Sequence, residues 1–274
     1  MIDKFREDVL SVVDAVPSGA SIAVGGFGSS GRPDGLLDAL CELDKRDLHV
    51  YVNNVGHDFT GVGRLLHEGR LRRVTASFPI LQEFYDEYFA GRVELELLPQ
   101  GTLAERLRAG GAGIPAFFTP SGAGTMLSDG SFTLRYSPDG GVAEHLPAKE
   151  TRMINGREYV LEEGIVADFG FVKAHRGDRK GNLRFRLSAR NFNPLAGMSG
   201  RRTFAEVEQL VEVDELHPDD VHLPGVFVQD VVRSTSKAAS TPSSATSSTA
   251  TSSTATSSTA TTPAASAAAT RRAS

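Results

Sequence analysis

Ser21-Ile22-Ala23-Val24-Gly25-Gly26-Phe27-Gly28-Ser29-Ser30-Gly31-Arg32-Pro33 passes from a short apolar run into a glycine-rich loop and leaves it at a proline. The apolar run reads as a buried strand. Pro33 reads as the opening of a helix, because its missing N–H has no helical partner in a first turn. Leu36, Leu37, Leu40 and Leu43 give that helix one apolar face. Leu48-His49-Val50-Tyr51-Val52 then reads as a second strand and ends in Asn53-Asn54. Strand, glycine loop, helix and strand form the unit from which parallel α/β sheets are built. Upstream, Phe5, Val9, Val12, Val13 and Val16 recur at helical spacing, predicting a helix that stops at the breaker Pro17-Ser18-Gly19.

The same alternation continues downstream. Val93-Glu94-Leu95-Glu96-Leu97-Leu98 has the period of a half-buried strand and ends at Pro99-Gln100-Gly101. A helix is expected over residues 102–109, with Thr102 as its cap and Glu105 three residues on. Residues 114–118, 159–161, 165–174, 183–189 and 226–232 read as strands, and residues 204–213 fit helix and strand equally. Residues 128–150 show no periodicity and are expected to be a surface excursion. The fold class is therefore α/β, with an open, mostly parallel sheet flanked by helices. Ligands of such sheets bind beyond the carboxyl ends of the strands. The loops at residues 25–31, at Asn53-Asn54 and at Gln100-Gly101 would share one rim if their strands are neighbours.

Composition divides the chain at about residue 233. From Ala238 to Ser274 every residue is Ser, Thr or Ala except Pro242, Pro263, Arg271 and Arg272. Such side chains bury too little apolar area to offset the entropy lost on ordering, so residues 234–274 are expected to be a disordered tail after a folded part at 1–233. Net charge is −5, with 34 acids and 29 bases; every acid precedes Ala238, while Arg271 and Arg272 follow it. An acidic folded part argues against nucleic acid held through phosphates. The charged N-terminus is unlike a signal peptide, and no run of about 18 apolar residues suggests a membrane span, so a cytoplasmic location without membrane contact is expected. The lone Cys41 excludes an intrachain disulfide and a thiolate cluster. The seven histidines show no metal-ligand spacing, and no metal is expected.

Gly26-Phe27-Gly28-Ser29-Ser30-Gly31 fits G-x-G-x-x-G, the dinucleotide fingerprint, with a strand before it and a helix after it. That fingerprint also expects an acid at the end of the next strand, where this chain has Asn53 and Asn54. On the residues alone, the glycines serve equally to permit a tight turn. Asn53 and Gln100 offer uncharged amide donors suited to a carboxylate or carbonyl oxygen. Asn54 is open to that role and to loop capping alike. Asn191 and Asn193 are read as ordering a turn before Pro194. Ser29 and Ser30 have no evident His/Asp partner for hydrolase chemistry.

Residues 22–33 also resemble the signature of the class I coenzyme A transferases: three apolar residues, then G-G-F, three residues, G, one residue, P. Asn53-Asn54, Pro99-Gln100-Gly101-Thr102-Leu103-Ala104-Glu105-Arg106, the run from Arg108 to Pro120, Gly177-Asp178-Arg179 and Ala189-Arg190-Asn191-Phe192-Asn193-Pro194 resemble the A subunit of the same family in order. The likeness is to the succinyl-CoA:3-ketoacid type, with 3-oxoadipate and short-chain fatty-acid relatives as alternatives. Ser18, His57 and His175 depart from the family pattern. The resemblance implies ping-pong transfer of coenzyme A between small carboxylic acids, through a glutamyl-CoA thioester. It places the reacting glutamate on a separate B subunit, in a loop resembling Ser-Glu-Asn-Gly that this chain lacks. Glu162-Glu163-Gly164 is only a superficial match. It further implies an A2B2 heterotetramer, no catalytic residue on this chain, and no cofactor, the acyl-CoA being a substrate. Gly25, Gly26, Phe27, Gly28, Asn53, Asn54 and Gln100 would line the substrate pocket. A non-catalytic nucleotide-binding module and a sugar-phosphate isomerase are the readings from other classes.

Overall fold

A computed structural model describes residues 3–234. The composition-based tail therefore lies outside the described residues, apart from Ser234, whose backbone N–H still donates to the Val207 carbonyl at 2.8 Å.

In chain order the elements are β1 (Phe5–Arg6), α1 (Val9–Val13), β2 (Ser21–Val24), α2 (Asp34–Glu42), β3 (Leu48–Val52), α3 (Val62–His67), β4 (Leu71–Ala76), α4 (Gln82–Phe89), β5 (Glu94–Leu97) and α5 (Gln100–Gly111). After them come β6 (Ala116–Thr119), β7 (Thr133–Tyr136), β8 (Val142–His145), β9 (Thr151–Ile154), β10 (Arg157–Glu163), β11 (Ala167–Asp178), β12 (Leu183–Arg184), α6 (Asn193–Ser199), β13 (Gly200–Val211) and β14 (Asp230–Arg233). Among the described residues the main sheet has nine strands, in the order β1-β14-β13-β11-β2-β3-β4-β5, with β12 on β11. All of its pairings are parallel except that of β12. From β2 the chain builds outward through β3, β4 and β5, and it later returns to the other side of β2 with β11. The strand order thus reverses between β2 and β11, the position at which open sheets leave a crevice at their carboxyl edge.

Side-chain alternation explains the layers. Ile22, Val24, Leu48, Val50, Val74, Phe171 and Phe204 face one side, against Val13, Leu36, Leu40, Leu65 and Phe84 of α1 to α4. Ala23, Val172, Ala174, Ala205 and Val207 face the other side, against Leu103, Leu107 and Ala196 of α5 and α6. Helices therefore cover both faces, as a buried parallel sheet requires.

Several local expectations need correction. The predicted helix from Phe5 begins as β1, and only Val9–Val13 is helical. Its start is fixed by Asp8, whose carboxylate accepts from the N–H groups of Leu10 and Ser11 at 3.0 and 3.2 Å. α5 opens at Gln100, so Thr102 lies buried inside the helix and is no cap. β6 leaves the main sheet and forms a three-stranded antiparallel sheet with β10 and β9. Residues 128–150 are not a loose excursion: they hold the β7–β8 hairpin, with Phe132, Leu134 and Leu146 buried in the core. Of residues 204–213, the stretch 204–211 resolves as strand, within β13, and the last two residues lie beyond it. The strand expected over 183–189 shrinks to β12, followed by a single 3₁₀ turn, Leu187–Arg190.

Candidate active site

β2, β3, β4 and β5 lie side by side in parallel, so the segments leaving their carboxyl ends meet on one rim. Gly25 extends β2, donating its N–H to the Phe171 carbonyl at 2.9 Å. The loop then closes on itself, with Phe27 and Ser30 exchanging two backbone hydrogen bonds of 3.1 Å. Phe27 is left half exposed at the tip, and Gly28, at φ +58°, faces open space.

Asn193 determines two of these glycines. Its side chain, fully buried, accepts from the Lys173 N–H at 2.9 Å and donates to the Gly31 and Ala189 carbonyls, each at 2.9 Å. A Cβ on Gly25 would stand 2.0 Å from the Asn193 Oδ1, and one on Gly31 2.7 Å from its Nδ2. Asn191 adds a hydrogen bond to the Ser30 carbonyl at 3.0 Å. The asparagines read from sequence as ordering their own turn therefore also fasten the glycine loop, about 160 residues upstream in each bond.

Asn53 and Gln100 come together although β4 separates the strands that they follow, β3 and β5. Gln100 Nε2 donates to Asn53 Oδ1 at 2.8 Å, and Ser77 Oγ donates to the same oxygen at 2.8 Å. With its oxygen so engaged, the buried Asn53 amide keeps Nδ2 without a hydrogen-bond partner among the described residues. Ser77 has no reading in the sequence: it follows β4, whose Leu71-Arg72-Arg73-Val74-Thr75-Ala76 lacks a clean alternation to mark it as a strand. Asn54 is committed locally, its Oδ1 accepting the Gly56 N–H at 3.1 Å, which is the capping role. Gln100 is exposed at the first position of α5, and no side chain caps that helix. The unpaired N–H groups of a helix start carry partial positive charge toward the rim.

The helix that follows the glycine motif is different. The Gly35 N–H at the start of α2 donates to the buried Glu206 carboxylate of β13 at 2.9 Å. An internal carboxylate thus occupies the place where a nucleotide-binding loop receives a pyrophosphate. Arg32 supplies no free cation either: its guanidinium is held by Asp34 at 2.5 Å and by Thr60.

A cavity of about 550 Å³ opens separately, on the sheet face beneath α5 and β10. Paired charges line it. Glu96 accepts from Arg73 and Arg106, both at 2.7 Å, and from Thr75, whose hydroxyl also contacts His49 at 2.9 Å. Burial pushes the Glu96 carboxyl up, but Arg106 and Arg73 overcome it and hold the group at about 2. Burial, assisted by Arg73, drives His49 down to about 3 and keeps the ring neutral. Glu162 is buried here and tied to Lys149 at 2.6 Å. It sits on β10, away from the rim. His57 is exposed, and His175 pairs with Glu208 at 2.9 Å. No group of His, Cys, Asp or Glu among the described residues is arranged to hold a metal. No helix among them is long and apolar enough to cross a membrane.

A parallel sheet whose carboxyl rim gathers a glycine loop and uncharged amide donors matches known proteins along nearly its whole folded length. The sequence profile of the family described as Coenzyme A transferase matches residues 7–234, and this chain belongs to that family of transferases. It is 50% identical over 238 residues to the A subunit of the probable succinyl-CoA:3-ketoacid coenzyme A transferase of Mycobacterium tuberculosis, covering 86% of this chain and 96% of the relative. It is 45% identical over 244 residues to the A subunit of the 3-oxoadipate CoA-transferase of Pseudomonas putida, covering 88% and 98%. It is 44% identical over 231 residues to the human mitochondrial succinyl-CoA:3-ketoacid coenzyme A transferase 2, covering 84% of this chain but only 45% of that one. The crystal structure of an acyl-CoA transferase from E. coli O157:H7 shares the fold, with a TM-score of 0.72 at 21% identity over 86% of this chain and 48% of that one.

Proposed function

We propose that the chain is the A subunit of an enzyme that moves coenzyme A from succinyl-CoA to a 3-oxoacid such as acetoacetate. The observation that supports this reading is the uncharged Asn53–Ser77–Gln100 cluster, in which the buried Asn53 is reached by the half-buried Ser77 and the exposed Gln100, with Nδ2 of Asn53 unengaged near the open start of α5. None of these side chains is a carboxylate, so the nucleophile comes from a second, B subunit, in an A2B2 assembly in the cytoplasm. A glutamate on that partner attacks the thioester carbonyl and expels CoA thiolate, giving a mixed acyl anhydride. The thiolate then attacks the glutamyl carbonyl, releases succinate and leaves a glutamyl-CoA thioester. The second acid runs both steps in reverse. Asn53 Nδ2, the second Gln100 N–H and the backbone N–H groups of Gly26 and Gly28 serve the oxygen on which negative charge develops, while Gly25, its own N–H committed to the Phe171 carbonyl, carries the loop out of β2 and Phe27 shields the anhydride from water. CoA enters and leaves as substrate, and neither cofactor nor metal takes part.

The test is co-expression with the B subunit, incubation with succinyl-CoA, and borohydride trapping of the thioester. The reduced glutamyl residue is expected on the partner chain alone. Transfer catalysed by this chain by itself would overturn the proposal. The Pseudomonas putida relative supports a second reading, 3-oxoadipate as acceptor; the ratio of kcat/KM for acetoacetate and 3-oxoadipate separates the two.

A further inference from the structure

The 3₁₀ turn Leu187–Arg190 lies against the glycine loop but takes no part in the amide cluster. Leu187 is 86% exposed, more than any other large hydrophobic residue described, and its backbone sits in the left-handed region at φ +51°. A γ-branched side chain gains nothing locally from that conformation and is strained by it. The turn is nevertheless firmly held. Ser188 Oγ meets Ser30 Oγ at 3.0 Å, Asn191 Nδ2 donates to the Ser188 carbonyl at 2.6 Å, and Asn193 donates to the Ala189 carbonyl at 2.9 Å. The fold thus sustains strain in order to present an apolar side chain to water. Arg186 and Arg190 flank it, both exposed and neither in an ion pair among the described residues, on a chain of net negative charge.

The geometry points to this turn as the anchor on which the B subunit docks, with Leu187 in an apolar socket of that partner and Arg186 and Arg190 facing carboxylates around the socket. Through Ser30 and Ser188 the anchor is continuous with the glycine loop, so a chain docked there borders the candidate site. The human relative, of which this chain matches 45%, holds more than another chain's length of polypeptide in the same molecule, so a second body of that size is available to cover the turn. Arginine is among the residues that most often carry binding energy in such interfaces, and well-packed neighbours that exclude water strengthen it, the part Leu187 would play between Arg186 and Arg190. The inference rests on the proposed need for a B subunit.

The experiment uses full-length chain and purified B subunit, with assembly followed by sedimentation velocity and the isolated chain by thermal melting. Leu187→Gly accepts the left-handed backbone without strain. That variant is expected to melt no lower than the parent chain, yet to show at least tenfold weaker binding to the B subunit. Arg186→Glu with Arg190→Glu is expected to weaken assembly at least tenfold at low salt and to flatten its salt dependence. Unchanged affinity in both variants, with the parent complex intact, overturns the anchor and leaves the site reading standing. Failure of the parent chain to bind the B subunit overturns both. Loss of self-association on Leu187→Gly, with B-subunit binding retained, would assign the turn to a second copy of this chain and equally overturn the inference.

Discussion

The coupling between Gly25 and Asn193 gives a quantitative test of how the site is built. Gly25 is not in the left-handed region, so its backbone would accept alanine; the obstacle is the Asn193 amide, 2.0 Å from where the methyl group would lie. Gly25→Ala must therefore push the amide out of three hydrogen bonds, stranding the Lys173 N–H and the Gly31 and Ala189 carbonyls. At about 1–3 kcal/mol for each buried group left unpaired, with partial relaxation, the expected loss is about 3–5 kcal/mol. Asn193→Ala strands the same groups and is expected to cost a similar amount. In the double variant the oxygen and carbon in conflict with the new methyl are gone, and the nearest remaining contact is the Asn193 Cα at 3.0 Å. Its cost should then exceed either single change by only about 1 kcal/mol, a coupling of roughly 2–4 kcal/mol. Urea unfolding followed by circular dichroism, with slopes compared among the four chains, measures the cycle. Costs that add to within about 0.5 kcal/mol would show that the asparagine does not occupy the space denied to residue 25.

Two further outcomes follow from the geometry. In the assembled enzyme, Asn53→Asp keeps the acceptor for Ser77 and Gln100 but removes the Nδ2 donor, so kcat/KM should fall by roughly 10²-fold or more, with Tm lowered by the buried, unpaired carboxylate; unchanged turnover would remove Nδ2 from the mechanism. Glu96, held at about 2 against an ordinary 4.5, contributes about 3 kcal/mol that is fully present above pH 4.5 and is lost as pH falls toward 2. The stability difference between the parent and Glu96→Gln should therefore shrink across that window, and a difference independent of pH would refute the ion-pair account.

Sequence made the parallel sheet legible because the strands ending at Gly25, Asn53 and Pro99 are short apolar or alternating runs bounded by Gly, Pro or Asn. That Asn53 and Gln100 share a rim stayed conditional on their strands being neighbours, because β4, which stands between β3 and β5, has no reading in the sequence. Shifts in local structure were harder to see. The helix spacing from Phe5 was genuine only after Asp8, where a side chain could cap it. The β7–β8 hairpin has no clear period because its register is irregular at two points, and its buried residues, Phe132 and Leu134, contact a core supplied by distant strands. The partnership of Asn193 with Gly25 and Gly31 spans most of the chain. Nothing in a single sequence announces a glycine made necessary by a side chain so far downstream.

The two helix starts near the rim differ in what they leave open to a ligand. α2, directly after the motif, has its first-turn N–H committed to Glu206, and Arg32 is closed off by Asp34 and Thr60. The electropositive end available to a ligand is that of α5, reached past Gln100 and Asn53. For a reaction in which a carboxylate must attack a thioester, this placement matters. A lysine or arginine at the same point would pair with the attacking carboxylate, hold it in its ground state and lower its nucleophilicity. Amide donors and a helix start lack a full charge with which to trap the nucleophile, yet they strengthen their hold as charge gathers on the carbonyl oxygen. The substitution of asparagine for the acid of a dinucleotide site belongs to the same logic: an acid at the end of β3 would repel both the incoming carboxylate and the developing oxyanion.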